Sequence, residues 1–150
     1  MDIRTALIEG RKLMNDHEEL RGWILGLDRA KQRAGACHYR AKTITLSEHY
    51  IRMNEWDEVR NTVLHEIAHA LTPADRGHGW SWASKCIELG IAPNRCYDAE
   101  KVNMPQGGVA IICPNHGEIG RRHRMPAAKM NGRYFCKRCK AKVTHRRVSW

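Results

Sequence analysis

Residues 62–83 read TVLHEIAHALTPADRGHGWSWA and hold three histidines and one glutamate among apolar and small residues. Ionisable and polar side chains are costly to bury unless something pairs with them. In a helix, residues four apart share a face, so His65 and His69 can present two imidazoles to one ion. Glu66 lies beside them and can reach a water on that ion. This is the HExxH pattern, here HEIAH. A zinc ion so held lowers the pKa of its water to about 7, and the neighbouring glutamate takes the proton. The chemistry expected is attack of hydroxide on a polarised peptide carbonyl.

A catalytic zinc needs a third protein ligand and one open position. A metzincin would carry Gly at 72 and His at 75, whereas this chain has Thr72 and Asp75. Two candidates remain. Glu88 would serve as in a thermolysin-like site. His78, between two glycines in RGHGW, can return to the metal if the chain folds back after Pro73. His78 is preferred and Glu88 is held in reserve.

A second constellation lies near the C-terminus. Cys113 and His116 form C-x2-H, and Cys136 and Cys139 form C-x2-C. Two such knuckles suit a four-ligand structural zinc, with His123 and His145 as less suitable substitutes for His116. Of the six cysteines, only Cys136 and Cys139 stand at metal-ligand spacing from each other, which argues against a disulfide framework. Cys37, Cys86 and Cys96 read as buried small residues.

The elements that must position these groups are legible in outline. A first helix is expected over 2–14, then short strands at 23–30, 36–40 and 42–46. Ser47 caps a short helical turn starting at Glu48. A second helix is expected over 57–71, stopped by Pro73, and a third over 80–89 with Gly90 as its cap. Residues 98–110 read as a linker, followed by the strand-like runs GVAII, RYFC and AKVTH. Of Trp80 and Trp82, one is expected in the core and the other at the cleft. Tyr50 and Tyr97 are candidates for stabilising a tetrahedral intermediate, and His17, His38 and His49 read as surface residues.

Charge divides the chain. Residues 1–100 carry 14 Lys+Arg against 15 Asp+Glu, while residues 101–150 carry 12 Lys+Arg against Glu118 alone. A near-neutral body with a basic tail points to a polyanion, most simply nucleic acid, ahead of a merely solvated surface. Arg121, Arg122, Arg124, Lys137, Arg138, Lys140, Lys142, Arg146 and Arg147 would meet phosphates without reading sequence. Tyr134, Phe135 and Trp150 can stack on exposed bases or pack the small core. No apolar run reaches the roughly 20 residues of a membrane span, and no secretory signal is read at the N-terminus. The expected location is therefore the cytoplasm, nucleoid-associated or phage-encoded.

The stretches AGACHYRAKTITLS, VRNTVLHEIAHAL, GHGWSWASKCIELG and PNRC together resemble the SprT-like (Spartan-related) metalloprotease family. CPNHG, RRHRMP and RYFCKRC resemble the zinc-ribbon tail of many members, although the family usually has cysteine where His116 stands. The resemblance implies an α+β, zincin-like metalloprotease body with a C-terminal zinc ribbon, divided here as 1–100 and 101–150. It implies zinc ligation by His65, His69 and His78, with Glu66 as general base. It also implies proteolysis of DNA-bound or DNA-crosslinked proteins. The expected complement is two Zn2+, one catalytic and one structural, in a monomer that binds DNA, possibly single-stranded, without sequence preference. Two other readings stay open: a regulatory protease that cuts a specific repressor, and a non-enzymatic DNA-binding module.

Overall fold

The computed structural model describes residues 1–97, 100–125 and 134–148. They divide into two compact units, Met1–Pro105 and Gln106–Trp150.

In the first unit, α1 (Ile3–Asn15) is capped by Asp2, whose carboxylate accepts from the Thr5 N–H at 2.8 Å. A 3-10 turn (Glu18–Leu20) leads to β1 (Ile24–Asp28), β2 (Gly35–His38) and β3 (Thr43–Ser47). The sheet order is β1-β3-β2, with β1 parallel and β2 antiparallel to the central β3. Ile44 and Leu46 are fully buried and alternate with half-buried threonines, as a two-residue period requires. Ser47 caps α2 (Glu48–Met53), accepting from the Tyr50 N–H at 3.3 Å.

Helix α3 (Trp56–Leu71) packs against α1, β2, β3 and α4 (Trp80–Glu88). Val59, Val63 and Ile67 are fully buried along it, each side chain contributing about 1.5–3 kcal/mol of burial. Asp57 and Glu58 suit its positive N-terminal end. At its other end Thr72 turns the chain, its hydroxyl donating to the Ala68 carbonyl at 2.7 Å. Gly35 lets β2 approach this helix closely. A Cβ there would stand 3.1 Å from Glu66 Cγ, the Thr45 carbonyl oxygen and Thr62 Cγ2.

Part of the stretch that reads as a linker is fastened to this unit. The Asn103 N–H donates to Asn54 Oδ1 at 2.7 Å, and Asn54 Nδ2 donates to the Asn103 carbonyl at 2.8 Å. Val102 and Met104 pack against the main core.

The second unit is an antiparallel sheet of β4 (Val109–Cys113), β5 (Gly117–Arg122) and β6 (Thr144–Arg147), with β4 central. Its core is small: Cys113, Cys136 and Val143 are buried, with Ile111, Tyr134 and Cys139 packed beside them. The expected RYFC strand is reduced to one isolated bridge, Phe135 to Lys142, among the described residues. AKVTH contributes only Thr144 and His145 to a strand. Trp150 lies outside the described residues.

Candidate metal centres

Helix α3 brings His65 and His69 onto one face, and the turn after it returns His78 to them. His78 Nε2 stands 3.2 Å from His69 Nε2 and 3.3 Å from His65 Nε2. Tetrahedral ligation at Zn–N distances of about 2.0–2.1 Å would separate ligand nitrogens by about 3.3 Å. The donor set therefore fits a small divalent ion in both chemistry and spacing. Burial holds His65 and His69 well below the ordinary histidine value, each at about 4, reinforced by the neighbouring imidazoles. They are neutral at physiological pH, the state in which an imidazole donates its lone pair.

Glu66 is only 7% exposed and borders the same cleft. Burial pushes its carboxyl up to about 8, opposed by the Arg33 guanidinium. Glu88, the reserve ligand, does not join the cluster: its carboxylate pairs with Lys85 on the outer part of α4. The cleft measures about 600 Å³ and is also lined by Arg33, Cys37, Tyr39, Arg76 and Tyr97.

The loop carrying His78 is held by Asp75. Its carboxylate accepts from the backbone N–H groups of Gly79 and Trp82, both at 3.2 Å, and so caps α4. Glycine at 79 leaves the carboxylate room, because a Cβ there would lie 2.6 Å from Asp75 Oδ2. Asp75→Ala is expected to cost about 1 kcal/mol of stability, the typical worth of a helix N-cap. It should also weaken metal binding by freeing the His78 loop. Thermal unfolding and a zinc titration of the variant check both; unchanged affinity would show that the loop holds its shape without the carboxylate.

Both candidate tyrosines line the cleft, but they differ in exposure and bonding. Tyr50 is buried, donates to the Glu58 carbonyl at 3.0 Å and accepts from Thr62 at 3.1 Å, so its phenol is already hydrogen-bonded. Tyr97 is 40% exposed and lines the cleft. Tyr39, which sequence reading passed over, also lines it, and its phenolic oxygen is buried with no partner among the described residues. Arg76 lies 5.5 Å over its ring. Cys86 is buried and Cys37 half-buried, but Cys96 is exposed at the cleft, contrary to its reading as a buried small residue. It lies in the irregular chain after α4, outside the hydrophobic clusters. Of the three remaining histidines, His38 is exposed, while His17 and His49 are half-buried.

In the second unit Cys113, His116, Cys136 and Cys139 converge. Cys113 Sγ is 3.4 Å from His116 Nδ1 and 3.5 Å from Cys139 Sγ, and Cys136 Sγ is 3.7 Å from His116 Nδ1. Tetrahedral zinc with Zn–S of about 2.3 Å separates its ligand atoms by about 3.6–3.8 Å. The Ala141 backbone N–H and the Asn115 side chain pull the Cys139 thiol down to about 6, favouring thiolate. His123 and His145 are not in the group; His145 instead packs edge-on against Tyr134 at 5.6 Å.

Fold and site together define an α+β protein in which two histidines of a helical HExxH segment meet a third from the following loop. Residues 9–101 match the SprT-like family. Protein SprT of Pseudomonas putida (strain GB-1) is 30% identical over 122 residues, covering 73% of this chain and 72% of that protein. Protein SprT of Pseudomonas putida (strain W619) is 30% identical over 126 residues, covering 76% and 74%. A distant likeness is found to the metallopeptidase zymogen jannalysin of Methanocaldococcus jannaschii, at TM-score 0.45 and 16% identity, covering 67% of this chain and 86% of that one. The chain belongs to the SprT-like family.

Proposed function

We propose that this protein is a zinc-dependent endopeptidase acting on DNA-bound or DNA-crosslinked proteins, and that its basic ribbon, folded around a second zinc, recruits DNA. The observation that carries the peptidase reading is the convergence of His65, His69 and His78 beside a buried glutamate in an open cleft. When bound there, zinc would polarise the scissile carbonyl and acidify a water.

The chain's own residues do the rest. The imidazoles of His65, His69 and His78 would hold the ion through their Nε2 atoms. A cation beside Glu66 would favour its ionised form, and that carboxylate accepts the proton of the attacking water and delivers it to the leaving amide nitrogen. Strand β2 is an edge of the first sheet, and its Gly35 and Cys37 line the cleft. An extended substrate can add to that edge by main-chain hydrogen bonds, which orient a peptide without demanding particular side chains.

The second unit supports recruitment to DNA. Arg121 and Arg146 flank Ala110 across the sheet, and Arg122 and Arg147 flank Val109. Strands about 4.8 Å apart set the outer members of each row about 10 Å apart. Glu118, the single carboxylate after residue 100, is paired with Arg121 at 2.6 Å. The basic rows thus favour phosphates. No helix among the described residues is long and apolar enough to cross a membrane, and we place the protein in the cytoplasm with the nucleoid.

The test is cleavage of a DNA-bound basic protein, with and without single-stranded DNA, by the wild type beside Glu66→Gln. Cleavage by the wild type alone, stimulated by DNA, is the expected result. Cleavage indifferent to DNA would favour a protease with a specific repressor as substrate, and no cleavage would favour a binding module. Binding is checked separately: the Arg146→Gln, Arg147→Gln double variant should weaken DNA binding and lower the salt slope by about 2. An unchanged slope would remove β6 from the interface.

A further inference from the structure

Trp82 touches all three histidines of the cluster. Its ring centroid lies 4.9 Å from that of His65, 5.3 Å from His69 and 4.5 Å from His78. The rings of His65 and His78 meet it at 65° and 85°, edge to face, while His69 stacks on it at 24°. The indole is fully buried and packs with Ala68, on the α3 turn between the two helical histidines, and with Cys86. Its backbone N–H is tied to Asp75. Trp80, two residues earlier, is 84% exposed and shares none of these contacts.

A metal-ligating histidine is ordinarily oriented by a hydrogen bond from its other ring nitrogen to a carboxylate, carbonyl or water. Among the described residues His69 has no such partner: its Nδ1 is buried and unpaired. The indole Nε1 is likewise buried without a protein partner, so Trp82 is not held in place by its own polar atom. The indole face stacks on the His69 ring, while His65 and His78 meet that ring edge-on at 5.0 and 4.8 Å. The same indole presses edge-on against the other two imidazoles, which come from two different segments of the chain. One rigid plane therefore sets the mutual angles of three ligands.

We propose that Trp82 is the positioning residue of the three-histidine centre, orienting all three imidazoles by ring packing where hydrogen bonds usually do this. The inference rests on the reading of the cluster as a metal site, but not on the protease reading.

The experiment uses the full chain, with Zn2+ as probe, in wild type, Trp82→Phe and Trp82→Leu. Zinc affinity is measured by titration, and imidazole 15N spectra report His65, His69 and His78 separately from the cysteine-bound site. The expected result for Trp82→Leu is about 10–100-fold weaker zinc binding at the histidines, the usual cost of losing a ligand's supporting partner. Displaced imidazole nitrogen shifts should accompany it. Trp82→Phe, which keeps an aromatic face, should recover part of both. A purely structural role would lower the melting temperature of the metal-free protein but leave the affinity and spectra of the folded fraction at wild-type values; that outcome overturns the proposal. Should Trp82→Leu fail to fold, the phenylalanine variant decides: wild-type affinity with unmoved imidazole shifts is fatal. If zinc does not shift the wild-type imidazoles at all, the metal reading itself is wrong and the proposal falls with it.

Discussion

Glu66→Gln is expected to lower peptide hydrolysis by about 100- to 10,000-fold, the range that general acid–base groups contribute, while zinc content and fold persist. Glutamine keeps the shape of the side chain but cannot accept the water's proton. The same variant should be more stable than wild type when both are stripped of metal, and the gain should depend on pH. The folded-state pKa of Glu66 is about 8 against an ordinary 4.5. Below pH 4.5 the carboxyl is neutral in folded and unfolded chains alike, so it contributes no penalty. Between 4.5 and 8 the unfolded chain ionises while the folded one keeps its proton, and stability falls as pH rises. Glutamine removes this loss. Denaturation of the metal-free body at pH 4 to 9 should show the two proteins diverging above 4.5, with the gap complete above about 8. Parallel curves would mean that the Glu66 side chain is solvated rather than buried.

Removal of metal by a chelator, with the thiols kept reduced, is expected to unfold residues 106–150 and leave the first unit folded. Among its described residues the second unit buries only Val109, Ala110, Cys113, Cys136 and Val143 as apolar side chains, and two of these are candidate ligands. So small an apolar core does not offset the conformational entropy of ordering the unit. Small units of this kind take their folding free energy from the bound metal. Cys136→Ser should act like the chelator. The measurement is amide hydrogen exchange: β4, β5 and β6 should lose protection while α3 keeps it. Persistent protection of β4 after chelation would show that the sheet stands on packing alone.

Both predictions draw on residues whose roles were visible in the sequence. The spacing of His65, Glu66 and His69 is a helical period, so a shared face follows from local geometry. The C-x2-C and C-x2-H knuckles are similarly local, because each pair needs only one tight turn to converge. His78 was a choice between candidates, since joining it to the others required a return after Pro73 that no local rule enforces. The contacts of Asp75, Tyr39 and Arg76 were not legible for the same reason. None belongs to a periodic pattern, and each acts through partners that other segments bring to it. Nothing in the neighbourhood of Tyr50 announces that Thr62 and the Glu58 carbonyl will engage its hydroxyl.

Taken alone, the amino-acid sequence determined the candidate ligand pairs, the candidate base beside them, the helices that carry them and the concentration of positive charge after residue 100. These are properties of spacing and composition, and they survive any arrangement of the elements. Only the tertiary structure decided which tryptophan faces the histidines, that Gly35 opens β2 to Glu66, and that Asp75 locks the loop of the third ligand. Each of these depends on how α3 meets α4 and the edge of the first sheet. That approach is set by the fit of many buried side chains at once, which no single stretch of sequence encodes.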